Sequence, residues 1–447
     1  MITGLPLLLI IAAAICFIVV ACSHFKWHPF LALLAASLFT GLTVGLPLKD
    51  IATTANEGFG NMMAHIGLVV VLGTLIGTVL EKTGATLRIA DAIIGFFGKD
   101  KPVLAITVIG AVVGIPIFCD SGFVILNGLT KPLSRESKKS YTAIVNGLAG
   151  GLYITHTFLP PHPGSLAGAV NLGLGQHLGA VILTGFLISL PTTLLCWLFA
   201  SRFLNKLSHT AIANEIKDES LMQLPVLWKS ILPVIVPVLL IAAGSATELI
   251  AIPATIKNTL LFLGSPVVAL SCGLLLSLLL VKRKDTTLFN KWITEAMVHA
   301  GPILILVGAG GVFGNILKKT PMANLVQQWV NNGSFSPVVF LLIAYAIGSF
   351  LKTAQGSTTS AIIVATSILA PIAAIAGFVQ PIPLSLLLGA TAAGAMMVSH
   401  TNDAYFWVIS QFSGLTMQQT YRSFSLLSIV LSITSLLVIL LLALIVL

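Results

Sequence analysis

Charge is what this sequence has least of. Only 8% of its 447 residues are Asp, Glu, Lys or Arg, while 57% are hydrophobic; soluble domains carry about 25% charged residues. No solvated surface can be assembled from so little, which excludes a soluble globular protein and leaves an all-α polytopic membrane protein. Paired cysteines are missing as well. Cys16, Cys22, Cys119, Cys196 and Cys272 lie in or beside apolar runs without the spacing of a zinc or dithiol site, so no metal is expected. There is no GxxxxGK[ST] loop, no strand–glycine–helix dinucleotide unit and no HExxH. No cofactor is expected, ATP-driven pumping by this chain alone is disfavoured, and an ion gradient becomes the default energy source. The net charge of +9 is scattered through short loops, which argues against a nucleic-acid partner and leaves the lipid bilayer as the surface to be matched.

What is abundant is apolar sequence. The first run, Ile2 to Cys22, has no basic residue ahead of it and reads as a retained transmembrane helix rather than a signal peptide. At roughly 20 apolar residues per crossing, the chain supports about 10–14 membrane segments, some incomplete. Basic residues cluster at Lys131 to Lys139, Arg202 to Lys229 and Lys282 to Lys291. The runs Ile231–Ala246 and Leu260–Val281 separate the last two clusters by two crossings, which allows both to lie on the cytoplasmic side. The most polar stretch, Ser201 to Gln223, sits near the middle. It divides the chain into an N-terminal half (1–200), a cytoplasmic linker (201–229) and a C-terminal half (230–447).

The halves resemble each other. Gly77-Thr-Val-Leu-Glu-Lys-Thr83 matches Gly314-Asn-Ile-Leu-Lys-Lys-Thr320, an offset of 314 − 77 = 237. Ala149 through Thr157 matches Ala393 through Thr401, with His156 and His400 in register at 400 − 156 = 244. Two matches in the same order at nearly one offset predict a duplicated unit. Inverted-topology repeats of this kind serve alternating access in many secondary transporters, with sites where helices break at the midplane. Glycine pairs four residues apart, such as Gly110/Gly114 and Gly147/Gly151, permit close helix approach and are read as packing.

Each half has two places where breakers and polar groups interrupt an apolar run. In the first half these are Pro116 through Gly122, holding Asp120 and Ser121, and His156 through Gly164, holding Thr157 and His162. In the second they are Lys352 through Ser360 and Ser399 through Asp403. A broken helix is tolerable in a bilayer only against protein or a water-filled cavity, and a helix N-terminus facing that cavity offers N–H donors and partial positive charge to an anion.

The Gly356-Ser357-Thr358-Thr359 break, preceded by Gln355 and set in a stretch with five hydroxyl side chains in eight residues, is the strongest anion site, with Lys352 supplying a point charge to a carboxylate. A membrane-embedded cation marks a pathway or a counter-ion; the plain alternative is a lysine snorkelling from a helix end. Asp120 can carry a proton, pair with Lys352 or cap a helix. Asp403 is a cavity acid or an interfacial cap beneath Tyr405-Phe406-Trp407. His156, His162 and His400 suit a proton relay, although a membrane histidine is more commonly a packed, hydrogen-bonded residue. Asn402, Thr157 and Ser121 are candidates for meeting substrate hydroxyls.

The chain resembles the gluconate permease family of bacterial sugar-acid and hydroxy-acid proton symporters, nearly end to end. The resemblance rests on Phe158-Leu-Pro-Pro-His-Pro-Gly164, Gly308-Ala-Gly-Gly-Val-Phe313, Gln355-Gly-Ser-Thr-Thr359, and Ser399-His-Thr-Asn-Asp403 with Phe406-Trp407. It implies a multi-pass inner (plasma) membrane symporter of the wider ion transporter superfamily, with re-entrant hairpins, a scaffold domain beside a mobile transport domain, and a homodimeric state. Three positions depart from the family pattern. Lys352 stands where arginine is usual, Asp120-Ser121 where glutamate and an apolar residue are usual, and Gly356-Ser-Thr-Thr replaces Gly-Ser-Ala-Thr. Lysine cannot supply the bidentate fork of arginine, and a shorter acid reshapes a pocket.

The expected function is therefore transport rather than catalysis: import of a small hydroxylated carboxylate, gluconate-like, with a proton. Sodium coupling, or exchange of a smaller hydroxy acid such as glycerate, is the alternative. A remote one is an intramembrane hydrolase using Ser357 or Ser399 with His400, which lacks a GxSxG elbow.

Overall fold

The computed structural model describes the chain except for residue 1 and residues 98–100, 208–223, 248–252, 282–285, 322–335 and 402. The sequence-predicted ligand Asn402, most of the linker and the start of the third basic cluster thus lie outside the described residues. Among the described residues there is no strand. The helices of the first half are α1 (Gly4–Ser23), α2 (Pro29–Val44), α3 (Leu48–Lys82), α4 (Ala85–Phe97), α5 (Pro102–Val113), α6 (Cys119–Leu126), α7 (Thr130–Ser137), α8 (Tyr141–Phe158), α9 (Pro163–Asn171) and α10 (Leu178–Arg202). Those of the second are α11 (Leu227–Ala246), α12 (Ala254–Gly264), α13 (Pro266–Ser277), α14 (Thr286–Lys319), α15 (Pro337–Gln355), α16 (Thr358–Ala373), α17 (Pro381–Gly394), α18 (Ala404–Ser413), α19 (Met417–Thr420) and α20 (Leu426–Val446).

Among the described residues, six helices are long and apolar enough to cross a membrane, or up to eight spans if two bent pairs are each counted as one. Four shorter apolar helices, α2, α5, α16 and α17, add incomplete segments. The first apolar run is helical, as its composition predicts. The run Leu260–Val281 is not one straight crossing: the chain bends by 65° between Gly264 and Pro266, because proline cannot donate the backbone hydrogen bond that would continue the helix. Helix α10 continues to Arg202, followed by a short 3-10 turn at Leu204–Lys206.

The two halves pack in a recurring pattern. In the first, α5 lies against α8; in the second, α15 lies against α17. Across the halves, α3 packs along α14, α10 against α20, α9 against α16, and α6 against α18. The α5–α8 contact is close because of glycine. A Cβ added at Gly110 would stand 2.9 Å from the Leu152 backbone nitrogen, and one at Gly147 2.7 Å from Thr107 Oγ1. This is the packing role expected for those pairs.

Helix α8 forms the core of the molecule. Every residue from Tyr141 to Phe158 is buried except His156, and a helix apolar all round belongs inside other helices. The one residue that breaks the pattern faces a cavity.

Candidate functional site

The helix breaks are written in local chemistry. At the end of α15, Gly356 adopts φ 78°, its N–H bonding back to the Lys352 carbonyl; that left-handed conformation is easy only for glycine. Ser357 follows as N-cap of α16, its hydroxyl accepting from Ser360 N at 3.2 Å. Asp403 caps α18, its Oδ1 accepting from Tyr405 N at 3.1 Å. Such caps are worth about 0.5–2 kcal/mol each. In the first half, α6 begins at Cys119 with Asp120 in its first turn, and α9 begins at Pro163 with His162 as its N-cap. The Pro160–Pro161 bond between α8 and α9 is cis.

These ends enclose a cavity of about 210 Å³. Cys119 and Asp120 come to it from α6, Tyr153 and His156 from α8, and Gln355 from the end of α15. The break itself supplies Gly356 and Ser357, α16 supplies Thr358 and Thr359, and α18 supplies Ala404 and Tyr405 behind Asp403. Three helix N-termini, those of α6, α16 and α18, thus meet at one space, and each contributes roughly half a positive charge. Groups from both halves of the chain line it.

The cavity's electrostatics rest on one buried ion pair. Lys352 is fully buried, and its Nζ donates to Asp403 Oδ2 at 2.7 Å and to the Gly356 carbonyl at 3.0 Å. It also lies 5.8 Å from the centre of the Tyr153 ring. Asp403 Oδ2 accepts a second bond from Ser399 Oγ at 2.5 Å. Ser399 is held in turn by Ser425, whose hydroxyl donates to its carbonyl, and by Ser428, which accepts from its N–H at 3.1 Å. An ion pair this deep needs such extra bonds, because desolvation otherwise outweighs the Coulomb gain. Lys352 does not line the cavity; Asp403 does. The expected cation therefore stands behind the wall, matched by Asp403 rather than by Asp120 or an incoming carboxylate. Snorkelling is ruled out by its burial, and Asp403 serves as cavity acid and helix cap at once.

Four buried polar atoms at the cavity have no hydrogen-bond partner among the described residues: Asp120 Oδ1, His156 Nδ1, and both amide atoms of Gln355. Buried polar groups are almost always paired, so their concentration at one cavity sets this cavity apart chemically. Tyr153 OH and Thr358 Oγ1 instead hydrogen-bond each other at 2.8 Å across the two halves.

Of the residues singled out in the sequence, the fold gathers Asp120, His156, Gln355, Gly356, Ser357, Thr358 and Asp403 around the cavity. The others stand elsewhere. His162 lies behind His156, ring centres 4.4 Å apart, with its Nε2–H donating to the Gly114 carbonyl at 2.5 Å. Thr157 turns back on its own helix, donating to the Tyr153 carbonyl at 2.7 Å. Ser121 is half-buried on α6 and does not line the cavity. His400 bonds the Thr353 carbonyl at 3.0 Å, outside the cavity. Its alignment with His156 in sequence thus does not carry over to position. Thr359, part of the break read as the anion site, also lines the cavity. Sequence reasoning missed Cys119, Tyr153 and Tyr405. All three stand inside motifs it quoted, but an aromatic or a thiol in an apolar run carries no mark of facing a cavity.

The arrangement holds no hydrolytic pair. Ser399 donates to Asp403, Ser357 caps α16, and His400 is engaged with a backbone carbonyl. Among the described residues no group of three or more His, Cys, Asp or Glu could hold a metal ion.

Comparison with known proteins adds the family. The model of the GntP family permease matches residues 5–445. A gluconate permease of Pseudomonas aeruginosa is 30% identical over 438 residues, covering 96% of this chain and 95% of that protein. An uncharacterized permease of Haemophilus influenzae is 33% identical, over 92% and 87% of the two chains. The Gnt-II system L-idonate transporter of Escherichia coli is 27% identical, over 96% and 97%. The solved structure of the Alcanivorax borkumensis YdaH transporter superposes with a TM-score of 0.66 over 96% of this chain and 97% of that one. At 14% identity it speaks for the fold alone. Apolar helices enclosing a polar cavity, and a family match along almost the whole length, identify a multi-pass inner-membrane permease: the chain belongs to the GntP family of permeases.

Proposed function

We propose that the protein imports a small hydroxylated carboxylate, a gluconate-like sugar acid, together with a proton, and that the cavity between α6, α8, α16 and α18 is where both bind. Relatives named for gluconate and L-idonate support the substrate class. The observation that carries the reading is the cavity's charge balance. Lys352 is already neutralised by Asp403, so among the described residues lining the cavity the remaining ionisable carboxyl is Asp120, half-buried with one buried, unpartnered oxygen. A second anion beside an ionised Asp120 would meet a like charge in a poorly solvated space. With Asp120 protonated, the solute's carboxylate faces only the N-terminus of α16 and its hydroxyls. Proton and anion then enter together because each makes the other's burial tolerable.

In this reading Thr358 and Thr359 N–H groups receive the carboxylate, while Gln355 and His156 offer donors and acceptors to the solute's hydroxyls. Lys352 positions Asp403 and the Gly356 carbonyl without touching the solute. The two halves act as duplicated, inverted units rocking about this site, joined by the polar linker, and the protein works as a homodimer.

The test is labelled gluconate uptake into proteoliposomes, with glycerate, threonate, lactate and D-serine as competitors. Uptake is expected to rise as external pH falls and to collapse with a protonophore. Asp120→Asn is expected to abolish accumulation against a gradient while retaining counterflow of trapped against labelled gluconate. Sodium-dependent uptake indifferent to protonophore would replace this reading with sodium coupling, for which the hydroxyls of Ser357 to Thr359 could serve.

A further inference from the structure

A second polar cavity, of about 340 Å³, lies at the other end of the α9–α16 pair. It has room for on the order of ten waters. Thr358, in the first turn of α16, lines the first cavity, whereas Ser367 and Ala370 of the same helix line the second. At 1.5 Å per residue, Thr358 and Ser367 are about 14 Å apart along the helix. Helix α9 runs alongside: its N-cap His162 lies against His156 with the rings tilted at 55°, and its last residues, Val170 and Asn171, line the second cavity.

Between the cavities the two helices close on each other. A Cβ at Gly164 would stand 3.2 Å from Thr359 Cα and from Ile362 Cδ1, and one at Gly168 2.9 Å from Ile362 Cγ2. The packing of Gly164 and Gly168 against Ile362 is therefore a seal with a polar chamber at each end.

The second chamber is cross-tied. Asn171 Nδ2 donates to Thr366 Oγ1 at 2.9 Å and Ser367 Oγ at 3.1 Å, joining α9 to α16. Asn315 Nδ2 donates to the Thr54 carbonyl at 2.8 Å, joining α14 to α3. His65 Nδ1–H bonds the Asn61 carbonyl at 2.7 Å. Among the described residues lining it, Lys318 is the only one with a fixed charge, and no Asp or Glu is present. A cleft lined by one sign of charge concentrates the opposite ion.

We propose that this chamber is a second station for the same organic anion, on the side of the α9–α16 seal away from Asp120, with Lys318 as its carboxylate-attracting group. The proposal rests on the transport reading above. The first chamber binds a solute with a proton; this one has no acid to protonate and holds the anion alone, before or after the coupled step.

The test reads chemistry at the chamber independently of uptake. Gln176→Cys places a thiol on the cavity wall, and its modification is followed by mass spectrometry of the peptide carrying residue 176, in reconstituted protein. With each rate divided by that reagent's rate toward a small free thiol in solution, a sulfonate-bearing methanethiosulfonate is expected to react roughly fivefold faster than a trimethylammonium-bearing one of similar size, the scale set by a single lysine nearby in largely aqueous surroundings. Lys318→Gln should bring the ratio close to one, Lys318→Arg should restore it, and gluconate at concentrations that saturate uptake should slow the sulfonate reagent. Equal normalised rates in the parent, a ratio indifferent to Lys318→Gln, or no protection by gluconate would each overturn the proposal. Failure of the wild-type protein to take up any acid would sink the transport reading instead, since the thiol ratio is measured without transport.

Discussion

The two halves solve the same mechanical problem with different chemistry. In the second half, the end of α15 is tied to the N-cap of α18 by a buried ion pair, Lys352 to Asp403 at 2.7 Å. In the first, the chain just after α5 is tied to the N-cap of α9 by a neutral bond, His162 to the Gly114 carbonyl at 2.5 Å. The positions correspond: Gly114 and Lys352 are 352 − 114 = 238 apart, His162 and Asp403 are 403 − 162 = 241 apart, between the two offsets in the sequence. One tie carries two opposite charges and the other none. The unmatched groups then collect on the first half's side, at Asp120 and His156, and at Gln355 beside the break. One side of the cavity is thus a fixed, self-neutralised wall, while the groups without a partner face it from α6, α8 and the end of α15.

Breaking the ionic tie should have the largest effect. Lys352→Ala strands Asp403 in a buried place without its cation, at a cost of about 3–5 kcal/mol. Thermal unfolding in detergent should show the loss, and uptake should vanish. Lys352→Leu combined with Asp403→Leu should recover much of the stability and none of the transport. A Lys352→Ala protein as stable and active as wild type would remove the ion pair from the account.

The neutral tie should matter less. His162→Ala removes one hydrogen bond and leaves space beside His156, costing about 1–3 kcal/mol from the unsatisfied Gly114 carbonyl. The expected signature is a lowered melting temperature with proton coupling intact, read as protonophore-sensitive uptake at a reduced rate. If coupling is lost while stability is kept, His162 belongs to the proton path and the contrast between the ties fails.

The smallest effect is expected at the contact bridging the halves. Tyr153→Phe removes the hydroxyl that meets Thr358 Oγ1 at 2.8 Å, worth about 0.5–1.5 kcal/mol. A gluconate KM raised severalfold, with little change in melting temperature, would place that bond in solute binding rather than in the scaffold.

Much of the architecture is legible in one dimension because the signals are local. Gly356 with Ser357 spells a left-handed stop followed by an N-cap, Asp403 before an aromatic run spells another cap, and Pro266 opens a helix at its first position. The order of the motifs in the two halves suggests the duplication. Less legible is any preference depending on which side of an apolar helix faces what. Helix α8 is buried almost throughout, so no periodicity separates Thr157, which bonds its own backbone, from His156, which lines the cavity. His156 and His400 align in sequence yet differ in environment, because one sits on an unbroken helix and the other in the break before α18.

By itself the sequence determined the medium, the helical class, the places where helices must stop and the residue types exposed there, since each follows from hydropathy or from backbone preferences within a few residues. Tertiary structure alone decided that Lys352 pairs with Asp403, 51 residues away, that Asp120 keeps an unpartnered oxygen, and that three helix starts share one space. The reason is physical: a charge buried among helices takes the partner that packing brings within about 3 Å, and which helix ends meet is settled by the packing of the two halves against each other.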